Sequence, residues 1–301
     1  MIDLHIHTTH SSDGQYRPDE IFEMALEKGL EALAFADHMD ICAAGRGMTL
    51  AVDYGVEFYT GLEVSSALDG KEYHLLLYGF DSDSLSVRDF LTRHCSLIWG
   101  QVCRLIEYFQ GMGFDITKAD ITRWGKSVPT GVTFLDALKK RNSTDPRLFD
   151  YLYGDKSCSP YLNFYKGFSL GDFGEIMTCV LPSIQQAISS LKHAGVLILA
   201  HPGDIDLSRL KELKDMGIDG IEVYSTHHTP ETMHRLLGTA RSLDLFVSAG
   251  SDFHGERIKS DIAFGDIPGQ PDHVLIERLR GSGGVVLKRN LDKWTSPRHP
   301  S

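Results

Sequence analysis

No stretch of this 301-residue chain approaches the ~18 consecutive apolar residues of a membrane helix. The opening Met1-Ile2-Asp3-Leu4-His5 has neither a basic leader nor a long apolar segment, so no signal peptide is expected. Cysteine is scarce and irregular. Cys42, Cys95, Cys103, Cys158 and Cys179 form an odd set without a C-x-x-C pair, which argues against a disulfide framework and a thiolate zinc site and fits a reduced cytoplasm. Basic charge is also short: 30 Lys and Arg against 41 Asp and Glu leave a formal charge of −11, so no broad nucleic-acid-binding stripe is expected. There is no G-x-x-x-x-G-K-S/T phosphate cradle, no G-x-S-x-G nucleophile elbow, and no obvious internal repeat or low-complexity tract.

What is present is a strand and helix alternation in the outer parts of the chain. Strand-like runs fall at residues 2–6, 32–36, 56–64, 72–80, 196–200, 220–224 and 245–249. Helical runs begin near Pro18, where proline and two acids suit a helix start, and cover Leu207–Met216 and Pro230–Leu243. Seven short strands, several followed by helices, predict an α/β fold: a closed or nearly closed barrel of parallel strands, with working residues on the loops after the strand ends. From about Leu85 to Leu181 the apolar spacing is helical. The expected division is therefore a barrel of residues 1–84 and 180–301, interrupted by a substrate-facing helical insert of residues 85–179.

Polar residues stand where strands should be apolar. His5 and His7 lie two apart on a strand, so both imidazoles face one side. A Ser12-Asp13-Gly14 turn returns a carboxylate towards them, whereas His10 reads as a polar loop residue. Ala34-Phe35-Ala36 ends in Asp37-His38, where Asp37 suits either orienting a histidine or binding metal. Glu63 and His74 sit inside apolar runs, at a cost of several kcal/mol if unpaired. Leu197-Ile198-Leu199-Ala200 stops at His201, and Pro202-Gly203 forces a turn. Asp252 and His254 repeat the spacing of the opening pair among small residues. Together these residues predict a metal site assembled from many strand ends.

His5-x-His7 with Ser12-Asp13-Gly14, then Asp37-His38, Glu63, His74, Ala200-His201-Pro202 and Ser251-Asp252-x-His254-Gly255, resemble the motifs of the PHP (polymerase and histidinol phosphatase) superfamily. The similarity covers roughly residues 1–80 and 180–290. It implies a distorted seven-stranded TIM-like barrel, two or three divalent metal ions and phosphoester hydrolysis. By the same resemblance His5, His7, Glu63 and Asp252 would hold one ion. Asp13, His38 and His254 would hold a second, and Glu63 with His74 and His201 a third. The helical insert is similar to that of a subgroup acting on small phosphorylated molecules, among them nucleoside 3′,5′-bisphosphates, with short RNA as a second substrate class. A histidine at the place of His228 faces the substrate phosphate in that subgroup. Its usual Arg-Pro-His stretch is missing here, where Ser127–Phe134 stands instead. Lys156, Lys166 and Arg257 are the candidate substitutes for it.

Mixed nitrogen and oxygen ligands without thiolate suit Mn²⁺, Zn²⁺ or Fe²⁺. The expected mechanism is in-line attack on phosphorus by a hydroxide shared between two cations, with Asp13, His38, Glu63, His228, Asp252 and His254 as the catalytic set. A small phosphorylated substrate is the expected partner, with no membrane and no protein partner implied. The alternatives are a histidinol-phosphate-type phosphomonoesterase, a carbon–nitrogen amidohydrolase on a similar barrel, and a non-catalytic metal-binding module. No lysine suited to carbamylation stands at a strand end, and no metal ligand is missing.

Overall fold

The computed structural model describes residues 1–122, 128–161, 163–164 and 180–282. Its core is a seven-stranded sheet in chain order: β1 (Ile2–Ile6), β2 (Ala32–Phe35), β3 (Glu57–Leu68), β4 (Lys71–Tyr78), β5 (Val196–Leu199), β6 (Gly220–Ser225) and β7 (Phe246–Gly250). The expected strands are all present within a few residues. Past the end of β7, Asp252 N–H donates to the His5 carbonyl and His7 N–H to that of Phe253, which draws β7 against β1. The result is a nearly closed barrel.

One expectation of the sequence is corrected. The barrel is not uniformly parallel, because β4 runs antiparallel to both β3 and β5. Its cause is local: Asp69 and Gly70, both at positive φ, form a two-residue link between β3 and β4. An Asp-Gly pair with this backbone makes a tight hairpin, whose twist matches the flanking strands. β1 to β3 and β5 to β7 pair in parallel.

The helices α1 (Pro18–Lys28), α2 (Ala43–Tyr54), α7 (Ile184–Leu191), α8 (Leu207–Met216), α9 (Pro230–Ser242) and α10 (His273–Arg280) surround this barrel. Each presents an apolar stripe to the strands. On α1, Ile21, Phe22 and Ala25 meet Leu33, Phe35 and Phe58. Burying such side chains contributes about 1.5–3 kcal/mol apiece. α2 was not foreseen from the sequence.

Between β4 and β5 lie α3 (Leu85–Gly111), α4 (Lys118–Thr122), α5 (Gly131–Arg141), α6 (Pro146–Leu152) and a 3-10 turn at Asp155–Cys158. The first half of α3 packs on the barrel through Val87, Phe90, Leu91 and Ile98. Its second half enters a separate apolar cluster with Phe109, Phe134, Leu138 and Leu148. No helix among the described residues is long and apolar enough to cross a membrane.

Candidate metal centre

Backbone pairing beyond the strand ends brings the polar residues together. The β2–β3 ladder continues as His38 opposite Glu63, with Glu63 N–H donating to the Asp37 carbonyl and Met39 N–H to that of Glu63. The Asp252–His5 bond of the closing seam aligns the two i, i+2 pairs, and Ala200 N–H donates to the His74 carbonyl beside His201. His201 (φ 23°) and Asp252 (φ 55°) hold positive φ, a conformation costly for residues with a Cβ. Both turn the chain inwards where a strand ends. Gly250 is needed for close approach, since a Cβ there would stand 2.2 Å from that of His5.

Glu63 is the hub. Its Oε2 lies 3.2 Å from His5 Nε2, His7 Nε2 and His38 Nδ1, and its Oε1 lies 2.8 Å from His74 Nδ1 and 3.2 Å from His201 Nε2. Asp252 Oδ1 sits 3.4 Å from His5 Nε2 and 3.2 Å from His7 Nε2. Asp13 Oδ2 faces His38 Nε2 at 3.5 Å and His254 Nε2 at 3.7 Å. Ligand atoms of His5, His7, Glu63 and Asp252 lie within 4.8 Å of one another, as do those of His7, Asp13, His38 and His254, and those of His38, Glu63 and His74. His201 groups with His5 and Glu222 in the same way.

Six of these buried atoms make no hydrogen bond: His5 Nε2, His7 Nε2, Asp13 Oδ1, His38 Nδ1, Glu63 Oε2 and His74 Nδ1. Buried polar atoms are normally satisfied, and leaving one without a partner costs about 1–3 kcal/mol. Six converging in one place fit divalent cations, which accept lone pairs from neutral imidazole and carboxylate alike.

Four of the outward-facing ring nitrogens are engaged. His5 Nδ1 pairs with Glu222 Oε1 at 3.0 Å, His7 Nδ1 with Ser11 Oγ at 3.1 Å, and His74 Nε2 with Glu72 Oε1 at 3.2 Å. His254 Nδ1 sits 2.9 Å from the Asp252 carbonyl. Such partners fix the tautomer and aim the other nitrogen inwards. Asp37 takes no place among the inward-facing donors. Its carboxylate accepts from Thr8 N–H, Thr8 Oγ1 and Ser11 N–H, which fixes the loop after β1.

Charge within the cluster is strongly redistributed. Burial alone would lift the Glu63 and Asp252 carboxyls, but neighbouring imidazoles and, at Asp252, Lys259 outweigh it and hold both well below the ordinary range. Burial likewise opposes charge on His7 and His74, yet the carboxylates around them push them up to about 9 and about 10. His38, further desolvated and beside other imidazoles, falls to about 4. Protonated imidazoles thus balance the buried carboxylates in the metal-free protein.

His228 does not join this cluster. Its Nδ1 lies 2.9 Å from the Val223 carbonyl and its Nε2 accepts from Gly203 N–H at 3.0 Å, so both ring nitrogens are spent on backbone. The neighbouring His227 reaches Asp252 Oδ2 at 2.6 Å, and Lys259 Nζ binds the same oxygen. Arg257 is turned away from the cluster towards the helical region. It donates to the Tyr161 hydroxyl at 3.1 Å and lies 3.6 Å from Asp136. Lys156 pairs with Asp150 at 3.3 Å, and Lys166 lies outside the described residues. Ser127 does too, but Thr130 of the same stretch accepts from Ser12 Oγ at 3.0 Å, beside Asp13.

Sequence reasoning passed over His227, Lys259, Asp3 and Glu222. Asp3 binds the Ser251 hydroxyl and the N–H groups of His5 and Ser251, and its burial raises its carboxyl to about 6. Glu222 had a readable signal. Like Glu63, it is a carboxylate inside an apolar strand, and it is wholly buried.

Residues 3–119 match the family model for the PHP domain. Over those residues the chain is similar to PHP domains. Curated relatives align along most of their own length. A phosphoribosyl 1,2-cyclic phosphate 1,2-diphosphodiesterase of Eggerthella lenta is 25% identical over 88% of this chain and 96% of its own. A 5′-3′ exoribonuclease of Haemophilus influenzae is 27% identical over 84% and 89%, and a 3′,5′-nucleoside bisphosphate phosphatase of Chromobacterium violaceum is 24% identical over 84% and 87%. Among solved structures, a Bifidobacterium adolescentis protein assigned as a metal-dependent phosphoesterase superposes with a TM-score of 0.76 at 23% identity, over 94% of this chain and 96% of its own. That likeness supports the barrel as drawn.

Proposed function

We propose that this PHP-domain protein hydrolyses the phosphoester of a small phosphorylated molecule, with nucleotides and nucleoside bisphosphates as the foremost class. The protein is an enzyme, a metal-dependent phosphoesterase. One observation carries the reading: six unsatisfied ligand atoms, buried together around Glu63 on the strands and loops of one barrel.

Two or three divalent ions would be held by His5, His7, Asp13, His38, Glu63, His74, His201, Asp252 and His254. Nitrogen and oxygen donors of this kind suit manganese, zinc or iron. When bound, such ions neutralise charge on phosphoryl oxygens and acidify water near them. The chain itself supplies alignment. Glu222, Ser11 and Glu72 hold His5, His7 and His74 in the tautomers that face inwards. His227 and Lys259, gathered on the outer oxygen of Asp252, are the donors we assign to the ester phosphate. They would take the part foreseen for His228 and Arg257. The Ser12–Thr130 and Arg257–Tyr161 contacts draw the helical region to the loops of the centre, which supports residues 85–179 as the substrate-facing insert. An odd set of five cysteines favours a reduced, cytoplasmic setting.

The relatives include cyclic-phosphate, bisphosphate and RNA-cleaving enzymes by name, so the test is a substrate panel. Purified protein would be assayed against nucleoside bisphosphates, cyclic phosphates, short 5′-phosphorylated RNA, sugar phosphates and amides. Phosphoester cleavage that stops on chelation and returns with Mn²⁺ is expected. Amide cleavage alone, or no cleavage by metal-loaded protein, would overturn the reading.

A further inference from the structure

His10, Asp40 and Cys42 take no part in the centre described above. His10 lies on the loop after β1, whereas Asp40 and Cys42 follow His38 on the loop after β2. Even so, one ligand atom from each falls within 4.8 Å of the other two. They meet because both loops are tied to the same carboxylate. Asp37 accepts from Thr8 N–H, the Thr8 hydroxyl and Ser11 N–H, and the Thr8 hydroxyl oxygen accepts from His10 N–H at 3.1 Å. Met39, with φ at 52°, then turns the chain so that Asp40 folds back, and Asp40 Oδ1 accepts from Cys42 N–H at 2.6 Å. The bonds of Asp37 that fix the loop after β1 therefore also help bring this second trio together.

We propose that His10, Asp40 and Cys42 form a separate cation site, selective for zinc over magnesium or manganese. Imidazole, carboxylate and thiolate are a zinc-type donor set, and three protein donors leave a position open to water. The thiol would lose its proton to solvent on binding, leaving sulfur as a thiolate ligand. Cys42 is the residue just before α2. His10 is half-buried and Cys42 exposed, so the site opens to solvent, unlike the cluster around Glu63. No C-x-x-C spacing announces it, because its donors come from two loops.

Sulfur makes the proposal separable from the buried centre, whose donors are all nitrogen and oxygen. Cobalt titration of the full chain should produce a thiolate-to-cobalt charge-transfer band in the near ultraviolet. Cys42→Ser should abolish that band and lower the cobalt stoichiometry by one equivalent. His10→Ala should weaken binding at this site by roughly tenfold or more, while Cys158→Ser, at another exposed thiol, should change neither. Zinc, but not magnesium, should also protect Cys42 from alkylation. A band that survives Cys42→Ser, or no band at saturating cobalt in folded wild-type protein, would overturn the site. Neither outcome depends on phosphoesterase activity, so loss of one reading leaves the other standing.

Discussion

The mouth of the barrel and the helical region between β4 and β5 handle polar groups in opposite ways. At the mouth, carboxylates and imidazoles are buried and crowded, and their inward atoms lack hydrogen-bond partners. In the helical region, the charges are held in direct ion pairs. Arg141 binds Asp115 and Asp120, and Arg147 binds Asp145, over a core of Phe109, Phe134 and Leu138. The first arrangement leaves buried atoms for a ligand to satisfy, and the second pairs its charges within the chain. Function is therefore written in the barrel as an anomaly, whereas the helical region looks like any small packed unit.

That contrast can be broken most severely at Glu63. Glu63→Gln keeps the shape but removes the charge shared by five imidazoles, and it should take phosphate release to background and strip the protein of metal, checked by elemental analysis. If activity persisted, the centre would lie elsewhere. Phe134→Ala strikes the other region: deleting a wholly buried ring should cost about 3–5 kcal/mol in denaturant unfolding. The folded fraction should keep its metal content; a parallel loss of metal would show that the two regions are not independent. Glu222→Gln is gentler, since it leaves a group that still bonds His5 Nδ1 but without charge. Metal affinity should fall by about 10–100-fold in competition titration, with the fold intact by circular dichroism. An unchanged affinity would make Glu222 a packing residue.

The smallest effect concerns protons. His7 and His74 hold protons in the metal-free protein up to about pH 9 and pH 10, and both must shed them to bind a cation. Metal binding near pH 7.5 should therefore release protons, and apparent affinity should rise with pH through that range. Calorimetry in buffers of different ionisation enthalpy measures the release directly. Zero release would mean that the imidazoles are already neutral.

Much of the barrel was legible because a strand with an out-of-place histidine or carboxylate is conspicuous against its apolar neighbours. His5, His7, Glu63, His201 and Asp252 all announce themselves in this way. The direction of β4 was legible in principle, since Asp69-Gly70 is a hairpin pair. α2, with Gly45 and Gly47 inside it, offers a weak helical signal. His227 and His228 stand side by side in the sequence, and only tertiary bonds to Gly203 and Val223 turn one away while the other meets Asp252. The helical region gave its helices but no chemistry, because a paired surface arginine reads the same whether or not a substrate passes over it.

The seam between β1 and β7 has a consequence for the protein's birth. Its two histidine-bearing pairs belong to the earliest and latest parts of the barrel, and Asp252 N–H reaches back to His5. A ribosome must therefore release the chain past residue 254 before His5 and His7 meet Asp252. Until then His5 and His7 can meet Glu63 but not the Asp252 corner of the centre. Long-range closure of this kind is slow compared with local helix formation. The Asp252 and His254 corner of the centre is consequently the last to be added along the chain.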